Sequence, residues 1–350
     1  MNKKCIKGLV ALTVLISIVV AWNIRKNSDA NGNNGQLSIK TSSEAAHQAK
    51  IDKKIVKTYQ PTREIAAITE KIGFTEKGRV IFYASNPQLL DAADFNAEVP
   101  DSYDTNATLG YYNHRKIFLY WIKNQDLEGI VEVTAAHEAL DADWYRLTCQ
   151  ERRELMPLLE EDYAKIKTEK TEKLLADYAK FELGQRDNEL HSFLGTEYHH
   201  LSPKLEKHYA KYFKNREKIV TMYENYQSKF DALEQKSTQL SAETTSLKEQ
   251  IDSDLSQYET DLTNVNSEID AFNSRSQNKA YASESEFIAD RDSLQQKVSE
   301  LTERQTQISS VVDQYNAKTD ELNRIALKSS EFNKSINSKA IMPNQVPKAS

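Results

Sequence analysis

Cysteine is nearly absent from this chain of 350 residues, which has only Cys5 and Cys149. Two cysteines cannot build the disulfide framework of a small secreted domain, and they cannot supply the thiolates of a cysteine-based zinc site. Both kinds of cysteine-dependent fold are therefore excluded.

Glycine and proline are also scarce, with 9 and 7 residues, and 39% of the residues are hydrophobic. This composition favours long polar helices in an elongated molecule over one large core. A basic excess is missing too, because 46 basic and 52 acidic residues are well mixed and the formal net charge is −6. Without a basic stripe to grip phosphates, nucleic acid is not an expected partner.

The chain has one long hydrophobic run, "GLVALTVLISIVVAW", preceded by "MNKKCIK" and followed by "NIRK". Such a run is typical of a signal-peptide core or a short membrane anchor. We favour an uncleaved anchor over residues 1–26, with its positive end inside. The predicted protein is single-pass in the cell membrane, and its C-terminal bulk is extracytoplasmic. Residues 27–58 are rich in Asn, Ser and Gly without an apolar period, which predicts a flexible spacer.

Residues 59–213 carry the pattern of one α+β domain. A helix is predicted where Ile65, Ile68 and Ile72 share one face and Gly73 follows. The stretch "RVIFYAS" is a strand candidate, and the two apolar runs around "NHRK" between 109 and 122 predict a β-hairpin. The stretch "VEVTAAHEALDADWYRL" then predicts a helix.

Residues 214–335 carry apolar residues at steps of three and four in two segments, separated by the polar stretch "NSRSQNKAYASES". This pattern predicts a long antiparallel coiled-coil hairpin that recruits a protein or peptide partner. Each helix could instead pair with another copy of the chain, which makes a homo-oligomer the alternative. The tail, 336–350, has two prolines and no period, and is predicted to be disordered.

The segment "HEALD" is one histidine short of the zinc motif H-E-x-x-H. On a helix, residues four apart share a face, so His137 and Asp141 are the candidate zinc ligands. Glu138 is the candidate catalytic residue, since it could take a proton from a zinc-bound water and pass it on. Asp143 could orient a metal ligand through a hydrogen bond without binding the metal itself.

A catalytic zinc needs a third protein ligand and one open position. The candidates cluster in "DNELHSFLGTEYHH": we prefer Glu189, with Glu197 and His191 as alternates. Acidic residues and histidines are also common on ordinary solvated helix faces, so spacing alone leaves this choice open.

The segment from "LGYYNHRKIFLYWI" through "VTAAHEALDADWYRL", with the later "NELHSFLGTEYHHLSPKLEKHYAKYF", resembles a family of largely uncharacterised bacterial membrane-anchored proteins with a zincin-like domain. In that family the helix usually reads T-A-A-H-E-x-L-H, and the match spans Ile65 to Phe213. More distantly it is similar to the gluzincin metallopeptidases. The resemblance implies a Zn²⁺ cofactor and makes His137 a ligand, Glu138 the base, and Glu189 or Glu197 the third ligand. Asp141 stands where the family has its second histidine.

Two hypotheses follow from this departure at Asp141. In the first, the chain is a membrane-anchored zinc metallopeptidase with a partner-binding hairpin. In the second, it is a catalytically inactive zincin-like scaffold that acts at the cell surface through its coiled coil.

Overall fold

A computed structural model of the chain describes residues 41–99, 108–113, 115–169, 171–172, 175 and 185–341. In these residues the chain is mostly helical, with one small sheet. The helices, in chain order, are α1 (Ser42–Thr58), α2 (Arg63–Ile72), α3 (Glu76–Ala84), α4 (Ala92–Glu98), α5 (Ile130–Trp144), α6 (Cys149–Ile166), α7 (Gln185–Glu197), α8 (Pro203–Tyr209), α9 (Arg216–Gln277) and α10 (Glu284–Ile336). Short 3-10 turns lie at Gln125–Leu127 and Ser338–Ile341.

The strands of the sheet are β1 (Gln88–Leu90), β2 (Gly110–Asn113) and β3 (Lys116–Tyr120), in the order β1-β3-β2. Strand β1 is parallel to β3, and β2 is antiparallel to β3. The hairpin predicted between 109 and 122 is therefore confirmed. The combination of a mixed α and β unit with a long C-terminal helical hairpin is confirmed as well, whereas the zincin-like arrangement stays a prediction.

Helix α5 is the central element of the first unit, and it contacts α7 and both β2 and β3. Most of its residues are buried, including the small residues Ala135, Ala136 and Ala139. Gly129 precedes the helix in the left-handed conformation, with φ of 98°. A helix buried on all sides packs against several neighbours at once, which places the "HEALD" segment inside the unit rather than on its surface.

The predicted flexible spacer, 27–58, is wrong for residues 42–58, which form α1. A capping box between Thr41 and Glu44 begins this helix. Its buried residues are Gln48 and Asp52, and Asp52 pairs with Arg146. Because the buried face is polar, α1 has no apolar period for a sequence pattern to detect. Residues 27–40 lie outside the described residues, as does the predicted anchor at 1–26.

Two further local predictions are wrong. The strand candidate "RVIFYAS" is the end of α3, which begins after the capping side chain of Thr75. Part of the tail predicted to be disordered, 336–350, is ordered: Ile336 ends α10, and Ser338 is buried and donates a hydrogen bond to Asn96 at 2.7 Å. Residues 342–350 lie outside the described residues.

The helical hairpin is antiparallel, as predicted. In the second compact unit, 232–329, ion pairs join α9 to α10, and the α10 numbers fall as the α9 numbers rise. The pairs are Lys236 with Glu321, Glu243 with Lys318, Asp261 with Arg304, and Glu268 with Lys297. The predicted hairpin, 214–335, is longer than this unit because both helix ends belong to the first unit. There Phe230 packs against Tyr226 and Phe332.

Among the described residues, none of the helices combines the length and the hydrophobicity of a membrane span.

Candidate metal centre

Two helices bring the candidate ligands together. His137 and Asp141 lie one turn apart on α5, and Glu189 lies on α7, the helix that packs most closely on α5. His137 Nε2 is 3.5 Å from Glu189 Oε2 and 3.9 Å from Asp141 Oδ2. One ligand atom from each residue lies within 4.8 Å of the other two. All three residues are buried.

These distances fit the size of a zinc ion. Zinc binds imidazole nitrogen and carboxylate oxygen at about 2.0–2.2 Å, so neighbouring ligand atoms of a tetrahedral site are about 3.4 Å apart. The observed 3.5 Å and 3.9 Å are within about half an ångström of that value. The two distances from His137 are thus close to those of a zinc site, and all three ligand atoms lie within 4.8 Å of one another.

The charges in this cluster are unbalanced. Within the described part of the chain, the basic side chain within 4.0 Å of Asp141 and of Glu189 is His137, which is charged only when protonated. Burial raises the pKa of Glu189 to about 8. Burial also raises the pKa of Asp141 to about 7, while His137 and a hydrogen bond from Ser192 act in the opposite direction. Burial lowers the pKa of His137. A cation would relieve this imbalance, because it stabilises the carboxylates in their charged form.

Glu138 adds a fourth buried group beside the cluster. Its residue is fully buried, and neither carboxylate oxygen has a hydrogen-bond partner among the described residues. Burial and the charges of Asp141 and Glu189 raise its pKa well above the usual range. Buried polar atoms without partners are rare in folded proteins and often mark a functional site. The donor set and this unpaired carboxylate together fit a catalytic metal ion.

Strand β2 lies directly against Glu138. A Cβ atom added at Gly110 would be 2.6 Å from Glu138 Oε1 and 2.5 Å from the Cγ2 of Thr134. Only glycine allows the strand to approach the carboxylate so closely. Gly110 thus belongs to the site, although nothing in the sequence pattern drew attention to it.

The other predicted residues lie apart from the three ligand atoms. His191 Nε2 is 2.9 Å from His208 Nε2, and its ring stacks on Tyr209. Asp143 Oδ1 is 3.7 Å from Lys77 Nζ, so Asp143 forms an ion pair with a side chain outside the candidate ligands. Glu197 is two turns beyond Glu189 on α7 and makes a hydrogen bond with Tyr223 that partly offsets the effect of burial on its pKa. Of the three alternatives for the third ligand, the structure brings Glu189 to His137.

Sequence reasoning missed Ser192. This residue lies on α7 three positions after Glu189, is fully buried, and donates a hydrogen bond from Oγ to Asp141 Oδ1. The i,i+3 spacing from Glu189 was the only available signal, and it is common on helices.

No family model, no curated protein and no solved structure matches this chain. The functional argument therefore rests on the geometry of the site.

Proposed function

We propose that this protein is a zinc-dependent peptidase, anchored in the cell membrane through residues 1–26 with its bulk on the extracytoplasmic side. One observation carries the proposal: His137, Asp141 and Glu189 converge on one point beside the unpaired carboxylate of Glu138. Two helices, α5 and α7, supply these side chains. A structural zinc site would have four protein ligands, and the three found among the described residues are typical of a catalytic site with one open position.

The roles of the side chains follow from their chemistry. His137 Nε2 and one oxygen each from Asp141 and Glu189 would hold the ion. A zinc ion held by these residues would polarise a peptide carbonyl and would make an adjacent water more acidic. Glu138 accepts the proton of the attacking water at a carboxylate oxygen and delivers it to the leaving amide nitrogen. Because two ligands are carboxylates, we expect the water to be less acidic than in a site with two histidines.

The sheet supports a peptide as the substrate. Strand β2 pairs with β3 alone among the described strands and carries Gly110 against Glu138. An extended peptide that added to the other edge of β2 would run past this carboxylate. The helical hairpin of α9 and α10 would bind a protein or peptide partner, or a second copy of the chain.

Metal content tests the site directly. The full chain, purified in detergent, is expected to hold about one zinc per chain, measured by elemental analysis. His137→Ala should lose this zinc. His47→Ala removes an exposed histidine on α1 and should retain it. Equal zinc in wild type and His137→Ala would reject the site.

Peptide cleavage tests the reaction separately. Glu138→Gln should keep the zinc and cleave a mixed peptide library at least about 100-fold more slowly, because it cannot accept a proton. Glu70→Gln, at an exposed position on α2, is the matched control and should cleave at the wild-type rate. Equal cleavage by Glu138→Gln and wild type would contradict the catalytic role.

A second candidate function is a non-enzymatic scaffold that works through the hairpin. Asp141 favours it, because this residue replaces the histidine that the resemblance leads us to expect. A zinc-free, stably folded chain without cleavage activity would support this candidate.

A further inference from the structure

The two oxygens of the Asp141 carboxylate have different neighbours. Oδ1 accepts a hydrogen bond from Ser192 Oγ. Oδ2 is 3.9 Å from His137 Nε2, on the side of the candidate ion. The carboxylate is therefore held at one oxygen, and its other oxygen is directed at the ligand cluster.

The hydrogen bond from Ser192 restricts the rotation of the Asp141 carboxylate, which matters because an unrestrained aspartate is a poorly oriented metal ligand. The torsion that turns an Asp carboxylate is broad and roughly two-fold, so an unrestrained group would sample many orientations. Ser192 is fully buried and fixed in the α5–α7 interface. Its hydroxyl has a single proton, and among the described residues its other acceptor is the backbone oxygen of Asn188, at 3.3 Å. When ionised, the Asp141 carboxylate is the stronger acceptor of the two.

We propose that Ser192 is the positioning residue that makes Asp141 usable as a zinc ligand. The inference rests on the metal site of the proposed function but does not depend on peptide hydrolysis. In sites with histidine ligands, a partner on the second ring nitrogen orients the ligand. In this chain the hydroxyl of Ser192 does the same for a carboxylate, from the helix that also carries Glu189. One helix thus supplies both a ligand and the group that orients another.

Zinc affinity of the full chain, measured by competition with a chromophoric chelator, tests the inference. Ser192→Ala should bind zinc about 10- to 100-fold more weakly, the usual cost of losing an orienting partner. The matched control is Ser85→Ala, which removes another fully buried serine, located at the C-terminal end of α3, whose hydroxyl donates a hydrogen bond to a backbone oxygen of that helix. It should keep the wild-type affinity. Circular dichroism of each variant shows whether it is folded.

A double-mutant cycle separates positioning from general packing. If Ser192 acts through Asp141, then Ser192→Ala has no further effect on zinc affinity once Asp141→Ala has been made. The visible spectrum of the cobalt-substituted chain gives a second readout. Ser192→Ala should change its bands, because the Asp141 oxygen shifts relative to the metal, and Ser85→Ala should not.

The outcomes are distinct. Wild-type affinity and an unchanged cobalt spectrum in Ser192→Ala would overturn the inference and leave the metal site intact. Additive losses in the double variant would also overturn it. A wild-type chain that binds no zinc would overturn both the inference and the proposed function.

Discussion

Acidic residues have opposite surroundings in the two compact units. In the hairpin unit, 232–329, Glu268 pairs with Lys297, and their side chains are 44% and 41% exposed. Other acids of that unit pair with basic side chains in the same way. At the α5–α7 interface, Glu138, Asp141 and Glu189 are buried, and among the described residues the basic side chain within 4.0 Å of Asp141 and Glu189 is His137.

This difference identifies the buried carboxylates as the acidic groups whose presence the fold alone does not explain. An exposed ion pair loses little hydration and contributes little to stability. Buried carboxylates without a cation are costly, so they persist where protons or a metal ion offset the cost. Asp52 is an intermediate case, because it is buried but has Arg146 as a partner. Single substitutions in these three environments are therefore expected to change the stability of the protein by different amounts.

The largest effect on stability is expected for Asp52→Ala. Arg146 donates to both oxygens of Asp52, at 2.9 Å and 3.2 Å, and the substitution would leave its buried charge without this partner. We expect a loss of about 3–5 kcal/mol in the free energy of unfolding.

Urea unfolding followed by tryptophan fluorescence measures this loss, because Trp121 and Trp144 are in the first unit and residues 232–329 contain no tryptophan. The double variant Asp52→Ala/Arg146→Met should lose less. A loss below about 1 kcal/mol for Asp52→Ala would show that buried pairs here behave like exposed ones.

Gly110→Ala should disturb the unpaired carboxylate itself. The new Cβ would overlap Glu138 Oε1 and the Thr134 methyl group. Overpacking of this kind typically costs about 1–3 kcal/mol. The same urea titration measures it, and zinc content shows whether the metal site is disturbed. Adding Thr134→Ser removes one of the overlaps and should restore part of the stability. Full wild-type stability in Gly110→Ala would mean that β2 and Glu138 are not in contact.

The pH dependence of stability is the third test. Burial raises the pKa of Glu197 from 4.5 to about 8. The folded protein then holds this proton more tightly than the unfolded chain does. The stabilisation is therefore fully present below about pH 4.5 and is lost as the pH rises through about 8.

Glu197→Gln cannot ionise, so its stability should fall less between pH 6 and 9 than that of the wild type. The difference in slope is at most about 1.4 kcal/mol per pH unit. Urea unfolding with a chelator present measures both proteins, and Glu70→Gln should keep the wild-type slope. Identical slopes for wild type and Glu197→Gln would mean that Glu197 is solvated.

The smallest effect is expected in the hairpin. Lys318→Ala removes the partner of Glu243, and both side chains are about one third exposed. We expect only a small loss of stability, and one that shrinks further in 1 M salt, because exposed ion pairs are screened by solvent and ions. Unfolding followed by circular dichroism at low and high salt measures it. A large loss of stability that does not depend on salt would contradict the difference between the exposed acids of the hairpin unit and the buried acids of the first unit.

Sequence patterns were reliable where a single helix or hairpin carried its own apolar period. This holds for α2 with Gly73 at its end, for the β2–β3 hairpin, and for the antiparallel α9–α10 pair. They failed where the period was absent or ambiguous. The buried face of α1 is polar, and the short apolar run of α3 fits a strand as well as a helix.

The sequence by itself determined that His137 and Asp141 share a helical face with Glu138 beside them, because i,i+4 spacing is a local property of any helix. Only the tertiary structure decided that Glu189, rather than His191 or Glu197, meets them, because the rotation of α7 depends on side chains far apart in sequence. A Cβ at Gly195 would overlap Leu140 of α5 and Tyr209 of α8. In the same interface Glu189 lies beside His137, and Ser192 donates a hydrogen bond to Asp141.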